Sequence, residues 1–96
     1  MKLPIPLSFD WDKGNLDKNW HKHKVAVKEC EQTFFNKPLK IYLDREHSRG
    51  EKRFLAYGQT NTKRELTIIF TIRAGKIRII SARNQNKKER HVYENS

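Results

Sequence analysis

The first third of the chain carries hydrophobic residues at helical spacing. Asp12 belongs to the residue types that cap helices, and the pattern after it continues to about His23. In the next segment the apolar positions recur every three or four residues: Val27, Cys30 and Phe34. Pro38 cannot continue a helix, so this pattern ends before it. We therefore predict two helices, at residues 12–23 and 27–35.

Beyond Pro38 apolar and polar residues alternate, which is the period of a β-strand. Four strands are predicted on this basis, at residues 39–43, 53–58, 65–73 and 76–83. Ala74–Gly75 predicts a two-residue hairpin between the last two strands, because glycine accepts a positive φ. Asn86 and Glu89 have the spacing of a capping box, which predicts a short helix at residues 86–94.

This order of elements predicts an α+β fold, with a four-stranded antiparallel sheet, two N-terminal helices and a short C-terminal helix. The helices are expected mainly on one face of the sheet. Residues 8–11 are expected to be extended, without an assigned partner strand. A chain of 96 residues is too short to bury two separate cores, so residues 1–96 are expected to form one domain.

Basic residues outnumber acidic residues by 21 to 11, which gives a formal net charge of +10. The excess is concentrated near the end of the chain, where residues 73–96 contain seven Lys and Arg against two acids. Such a charge favours a polyanionic partner, since each phosphate contact releases condensed counterions. The alternative is a basic surface that is merely solvated, and charge alone does not decide between the two.

Strand alternation places part of this charge on one side of the sheet. Ile77, Ile79 and Ser81 are predicted to face the helices, and Arg78 then projects from the opposite face. By the same rule the preceding strand exposes Arg73. We expect a phosphate-binding surface formed by the basic residues of this region: Arg73, Lys76, Arg78, Arg83 and Lys88.

Several classes of function are disfavoured. The opening residues contain no long apolar run, and no later segment is long enough to span a membrane, so a cytoplasmic protein is expected. Cys30 stands alone, which agrees with a reducing compartment. The four histidines lack the spacing of a zinc site and there is no phosphate-cradling glycine loop, so neither a metal nor a cofactor is expected.

The polar residues that remain suit the cleavage of RNA. In that reaction the neighbouring 2′-OH attacks the phosphate, so the substrate itself supplies the nucleophile. The protein must supply cations around the charged transition state and groups that transfer protons. His23 is a chemically sensible acid or base, and its alternative role is to bind backbone carbonyls at the helix end. Three tyrosines could stack on bases or complete the edge of the core: Tyr42, Tyr57 and Tyr93.

Three motifs lie along the chain. The first comprises FDWD at residues 9–12, Asn19 and Lys22-His23. The second is HSRGEKRFLA at residues 47–56, and the third is RIISAR at residues 78–83, followed by Lys88-Glu89-Arg90 and Tyr93. These motifs resemble those of the BrnT toxin family, occur in that family's order and span nearly the whole chain. Two positions depart from the family pattern, because Lys24 replaces a glycine and Val27 replaces an aromatic residue.

The resemblance implies a RelE-like fold and an endoribonuclease toxin that needs no metal. The catalytic residues that it implies are cations around the scissile phosphate and a proton-transfer pair: Arg53, Arg78, Arg83, Lys22 and His23. It assigns Tyr93 to substrate positioning. Such a toxin inhibits translation and growth until its antitoxin neutralises it.

The resemblance also implies a partner, a BrnA-like antitoxin whose ribbon-helix-helix domain carries the complex to operator DNA. From the residues alone, two other functions stay open. A non-catalytic RNA-binding module would bind RNA in a salt-sensitive way without cleaving it. An interaction protein, whose basic surface holds an acidic segment of an antitoxin, would have negligible RNA affinity near physiological salt.

Overall fold

Three helices and five strands make up the described part of the chain, which in this computed structural model is residues 2–95 apart from the side chains of Asn15, Leu16 and His21. The elements follow one another in this order: β1 (Phe9–Asp10), α1 (Lys13–His23), α2 (Val27–Phe35), β2 (Lys40–Leu43), β3 (Phe54–Gln59), β4 (Glu65–Arg73), β5 (Lys76–Asn84) and α3 (Lys87–Glu94). The three predicted helices and the four predicted strands are all present, and their ends differ from the predicted ends by one residue at most.

Side-chain hydrogen bonds explain where the outer helices begin. Oδ1 of Asp12 accepts a hydrogen bond from the Gly14 N–H at 2.7 Å, which caps α1. At α3, Oδ1 of Asn86 accepts from the Glu89 N–H at 2.8 Å, and the Glu89 carboxylate accepts from the Asn86 N–H at 2.9 Å. The predicted cap and the predicted capping box are therefore both confirmed.

Left-handed backbone marks the β4–β5 hairpin and the turn between α1 and α2, among other turns of the described chain. In the β4–β5 hairpin φ is 50° at Ala74 and 74° at Gly75, the pair of positive angles that a type I′ turn needs. Between α1 and α2, Lys24 has φ 55°. That is the position at which Lys24 departs from the glycine of the BrnT pattern, and a glycine there would avoid the steric cost of the side chain.

The sheet contains five strands in the order β1-β5-β4-β3-β2. Strands β2 to β5 pair antiparallel, as predicted. Strand β1, however, pairs in parallel with β5 and sets Asp10 beside Arg78. The prediction of a four-stranded antiparallel sheet is thus wrong in the number of strands and in the direction of one. The sequence could not indicate β1, because a strand of two residues is too short to show alternation and because its partner, β5, lies far along the chain.

A β-bulge in β5 changes which residues share a face. The register with β4 skips Ile80, which is the extra residue. Strict alternation predicts Ser81 on the buried face, and this is wrong because Ala82 continues that face beyond the bulge, fully buried. The same shift brings Arg83 to the face of Arg78, away from the core.

Helices α1 and α2 pack on one face of the sheet and enclose the core. Its buried apolar residues come from α2, the connection before it and strands β3 to β5: Val25, Cys30, Phe34, Ala56, Leu66, Ile68, Phe70, Ile77, Ile79 and Ala82. Cys30 and Phe34 face inward as predicted. Val27 is only half-buried, whereas Val25 is 2% exposed. The predicted inward position of Val27 is thus only partly met.

Helix α3 packs against the opposite face, called the open face below. The strand register aligns Thr67 with Arg83 on that face, and the Glu89 carboxylate of α3 hydrogen-bonds the Arg83 guanidinium. The backbone carbonyl of Tyr93 accepts a hydrogen bond from Lys40 Nζ at 3.2 Å. The expectation of helices mainly on one face therefore holds for α1 and α2 but not for α3, which covers the end of the open face where β5 finishes.

Candidate nucleic-acid interface

Charged residues gather at the other end of the open face, near the β4–β5 hairpin. In the β-ladder Arg73 lies opposite Lys76, next to the hairpin turn. Arg78 lies two residues after Lys76 and therefore on the same face of β5. The parallel pairing of β1 adds Asp10 beside Arg78. Strand β3 begins at the same end, directly after Arg53. Four strands thus bring distant segments of the chain to one small area.

Glu51 lies among three arginines in this area. Arg73 binds it with a bidentate fork, from Nε to Oε2 at 2.6 Å and from Nη2 to Oε1 at 3.0 Å. These hydrogen bonds hold the pKa of Glu51 below its usual range, and the charges of Arg53 and Arg78 act in the same direction. We call this group the Glu51 cluster: Glu51, Arg53, Arg73 and Arg78.

Arg78 is held by two carboxylates at the edge of the sheet. Its Nη2 donates to Asp12 Oδ2 at 3.2 Å, and its Nη1 lies 3.7 Å from Asp10 Oδ2. The side chains of both aspartates are 45% exposed. Ion pairs in such contact with water contribute little to stability, on the order of 0–1 kcal/mol. A phosphate group can therefore replace a carboxylate at this guanidinium.

The guanidinium of Arg53 makes no hydrogen bond or ion pair with the residues that the structure describes. Its backbone, in contrast, is fixed, since its N–H donates to Ser48 Oγ at 3.0 Å and its carbonyl accepts from the Asp44 N–H at 2.8 Å. The Arg53 side chain lines an open groove of about 660 Å³ together with Glu46, His47 and Arg49. A guanidinium that makes no direct ion pair with a described carboxylate thus faces a space large enough for a ligand.

Arg83 lies at the opposite end of the open face, against α3. It binds Glu89 through Nη1 at 2.6 Å and Nη2 at 2.9 Å. The Glu89 side chain is 12% exposed. This burial opposes ionisation, yet the hydrogen bonds from Arg83 and the Asn86 N–H hold the pKa of Glu89 below its usual range. The register sets Arg78 opposite Thr71 and Arg83 opposite Thr67, so four residue spacings of about 3.3 Å, roughly 13 Å in all, separate the two arginines. The fork to Glu89 holds the Arg83 guanidinium at the α3 end.

Lys22 and His23, the predicted proton-transfer pair, end α1 on the side of Arg83. Burial lowers the pKa of His23, and the charges of Lys22, Arg83 and Lys18 lower it further. Lys22 is exposed. Asp12, which binds Arg78, stands at the beginning of the same helix, roughly 16 Å away at 1.5 Å per residue. The structure thus groups this pair with Arg83 and not with the Glu51 cluster.

Tyr93 is the buried residue of α3 and is 4% exposed. Its hydroxyl donates a hydrogen bond to the Pro38 carbonyl at 2.6 Å. The structure therefore does not present Tyr93 to a substrate but uses it to hold α3 on the sheet. Tyr42 and Tyr57 do lie on the open face with ring centroids 5.4 Å apart, and Tyr42 is 41% exposed.

The two predicted substrate-binding lysines are exposed at opposite ends of the open face. Lys76 lies in the β4–β5 hairpin and Lys88 in the first turn of α3. Neither ammonium group makes a hydrogen bond or ion pair with the described part of the chain. Both can therefore extend toward a polyanion.

The sequence patterns predict no place in a functional site for the acidic members of this surface. Glu51 lies inside the 47–56 motif, and Asp10 and Asp12 lie inside the 9–12 motif, where only the helix cap at Asp12 is predicted. His47, which lines the groove, lacks the spacing of a zinc ligand and has no other predicted role. One signal in the sequence could have indicated their role: His47 and Glu51 lie in one polar loop directly before Arg53.

Residues 2–95 also bear on metal binding, membrane insertion and thiol chemistry. No group of three or more His, Cys, Asp or Glu side chains lies close enough there to hold a metal ion. No helix of the described chain has the length and apolar character needed to cross a membrane. Burial raises the pKa of the Cys30 thiol to about 12, so this cysteine stays protonated.

Comparisons with known proteins point to one family. The sequence profile of the family described as "Ribonuclease toxin, BrnT, of type II toxin-antitoxin system" matches residues 11–89. Among solved structures, the chain is similar to the Brucella abortus ribonuclease toxin BrnT, with a TM-score of 0.64 and 19% identity over 84% of this chain and 99% of that chain. At this identity the likeness concerns the fold. No curated protein sequence matches the chain.

Proposed function

This chain belongs to the BrnT family of ribonuclease toxins of type II toxin–antitoxin systems, and we propose that it is an endoribonuclease whose active site is the Glu51 cluster. The observation that carries this proposal is the gathering of Arg53, Arg73 and Arg78 on an exposed sheet face, all within the matched residues. The planar guanidinium fork suits the bidentate binding of phosphate oxygens.

The proposed reaction needs no metal ion. The 2′-OH attacks the adjacent phosphorus, and the bond from phosphorus to O5′ breaks, which leaves a 2′,3′-cyclic phosphate and a 5′-hydroxyl. Negative charge develops on the phosphoryl oxygens, and Arg53 and Arg78 stabilise it. Arg53 needs no rearrangement to do so, while Arg78 exchanges the exposed carboxylate of Asp12 for the phosphate. DNA lacks the 2′-OH and is not a substrate.

The remaining predicted residues are assigned to the RNA strand on either side of the scissile bond. Lys76 extends from the hairpin beside the cluster. We assign Arg83 and Lys88, at the α3 end of the open face, and Lys22 and His23, at the end of α1, to a neighbouring phosphate. Phosphate contacts of this kind fix the position of a nucleic acid without reading its sequence.

The family's description also supports a partner. We propose that a BrnA-like antitoxin with a ribbon-helix-helix domain covers the open face, stops RNA cleavage and carries the complex to operator DNA. The positive face would receive an acidic segment of that antitoxin. The free toxin would act in the cytoplasm, where it inhibits translation and growth, and we infer for its α+β layout a relationship to RelE-like toxins.

The proposal is tested by incubating the purified protein with RNA in the presence of EDTA. We expect shortened RNA that ends in cyclic phosphate, and a loss of about 10²–10³-fold in rate for Arg53→Gln. Lys63→Gln is the matched control, since it removes the same charge from the exposed β3–β4 turn at the far end of those strands. Its rate should equal that of the unchanged protein.

Three results would contradict this function in different ways. Cleavage that EDTA abolishes would show that a metal ion takes part. RNA that is bound in a salt-sensitive way but never shortened would indicate a non-catalytic RNA-binding module. Negligible RNA affinity near physiological salt would indicate that the basic face serves only to hold a protein partner.

A further inference from the structure

The groove beside the Glu51 cluster contains a histidine that a carboxylate holds in place. Nδ1 of His47 lies 2.9 Å from Oδ2 and 3.2 Å from Oδ1 of Asp44. The Asp44 side chain is 9% exposed, whereas the His47 side chain is 60% exposed. The ring is therefore fixed on its protein side, and its other nitrogen, Nε2, lies on the side away from Asp44.

The carboxylate that holds this ring is itself fixed by the loop. The Asp44 N–H donates to the Arg53 carbonyl at 2.8 Å, and Ser48 Oγ donates to the Asp44 carbonyl. Ser48 Oγ also accepts from the Arg53 N–H at 3.0 Å. These bonds close the loop between β2 and β3 and fix the backbone on either side of His47.

This arrangement determines which nitrogen can accept a proton. When a carboxylate accepts the hydrogen of Nδ1, the neutral ring carries its free lone pair on Nε2. The charged and titratable side chains that share the groove with His47 are Glu46, Arg49 and Arg53. Two of them are arginines, which can hold an RNA phosphate in front of the ring. His47 thus combines a fixed tautomer with a place for the substrate.

We propose that His47 accepts the proton of the attacking 2′-OH in the RNA cleavage, and that Asp44 is its positioning residue. This inference rests on the function proposed above. In the step, the proton moves from O2′ to Nε2 of His47 and O2′ forms its bond to phosphorus. The bond from phosphorus to O5′ breaks, and the leaving O5′ takes a proton from water. No oxidant, reductant or metal takes part.

The proposal replaces His23 in this role. His23 ends α1, and burial together with the charges of Lys22, Arg83 and Lys18 lowers its pKa. A lowered pKa opposes the uptake of a proton. At His47, in contrast, the Asp44 carboxylate orients the ring. His47 also lines the same groove as Arg53, and His23 does not.

The experiment compares four variants of the full chain in the cleavage of RNA. His47→Ala removes the ring, and His47→Gln retains a side-chain N–H for the Asp44 carboxylate but cannot take up the proton. Both should lower the cleavage rate by about 10²–10⁴-fold, with RNA affinity and melting temperature close to those of the unchanged protein. Added imidazole should restore part of the rate to His47→Ala. His91→Ala is the matched histidine control and should cleave at nearly the full rate. His23→Ala should weaken RNA binding by no more than one flanking phosphate contact and should keep the rate at saturating RNA.

The outcomes separate this inference from the proposed function. If the unchanged protein cleaves RNA and His47→Gln cleaves equally fast, His47 is not the proton acceptor although the function stands. A loss in His47→Ala that imidazole does not relieve would show that the residue only supports the loop, and it would also overturn the inference. If the unchanged protein does not cleave RNA at all, the proposed function fails and the inference fails with it.

Discussion

Arginines lie at both ends of the open face, but their surroundings differ. At the hairpin end, Arg73 and its partner Glu51 are 50% and 35% exposed, and Arg53 has no direct partner among the described residues. At the α3 end, Arg83 binds Glu89, which is only 12% exposed. An arginine in water beside a weakly held carboxylate can change partners, whereas one that neutralises a buried carboxylate cannot do so without cost.

This comparison shows that two residues of one motif can have different roles, one at the candidate site and one in holding the fold together. Arg78 and Arg83 both lie in the 78–83 motif, and the bulge at Ile80 places both on the open face. Only Arg78 lies in the Glu51 cluster. The other holds α3 to the sheet. The predictions below test this division, beginning with the largest expected effect.

Arg78→Gln should lower the cleavage rate at saturating RNA by about 10²–10³-fold, because a cation that stabilises the transition state is lost. Arg83→Gln should change that rate much less and raise the RNA concentration needed for half-saturation. Steady-state kinetics on one RNA measures both quantities. Arg78→Lys is the informative intermediate, since it keeps the charge but not the planar fork, and only partial recovery is expected. Equal losses in Arg78→Gln and Arg83→Gln would remove the distinction.

Tyr93→Phe should lower the free energy of unfolding by about 1–1.5 kcal/mol, because the hydroxyl no longer donates to the Pro38 carbonyl. RNA affinity and cleavage rate should stay the same, since the residue is buried. Urea unfolding and RNA titration of the same preparation check both statements. Tyr42→Phe is the matched control on the exposed part of the face. A loss of RNA affinity in Tyr93→Phe at unchanged stability would restore the substrate-positioning role that the resemblance implies.

Arg83→Gln should lower stability at neutral pH, because it leaves the Glu89 carboxylate largely buried without its partner. The folded protein holds the pKa of Glu89 below its usual range. This contribution is therefore fully present above the unfolded pKa of about 4.3 and is lost as pH falls through the lower, folded pKa. At pH 7 we expect Arg83→Gln to lower the free energy of unfolding by about 1–2 kcal/mol, a value between those typical of exposed and of buried ion pairs. This loss should become smaller in acid. Unfolding by urea at neutral and acid pH measures it, with Lys87→Gln as the control of equal charge. A difference that does not depend on pH would contradict the role of Glu89.

Much of this fold could be predicted because its signals are local. A cap at Asp12, a capping box at Asn86 and alternation through β4 and β5 each depend on neighbouring residues. The pairing of β1 and the bulge at Ile80 have no such signal. Strand β1 has two residues and so shows no period. At the bulge, Ile80 and Ser81 could each lie on either face of the sheet, so the sequence does not indicate where the alternation shifts. These two features nevertheless decide what lies beside Arg78 and on which face Arg83 stands.

The site was harder to predict than the fold, because its ion pairs join distant segments. The fork between Arg73 and Glu51 and the contact of Arg78 with Asp12 arise only when the sheet has formed. Asn19, part of the first motif, has a structural role that the sequence alone does not indicate. Its buried side chain accepts a hydrogen bond from the Ala82 N–H and so holds α1 to β5.

The smallest expected effects concern the exposed lysines, and they decide whether RNA crosses the whole open face. Lys76→Gln and Lys88→Gln should each reduce the slope of log affinity against log salt by about 0.7, the value for one phosphate contact with a single strand. Lys63→Gln should leave the slope unchanged. If only Lys76→Gln has an effect, the RNA contacts the Glu51 cluster alone, and the α3 end is purely structural. If both have an effect, one strand extends from the hairpin to α3, and Arg83 then lies under its phosphates as well.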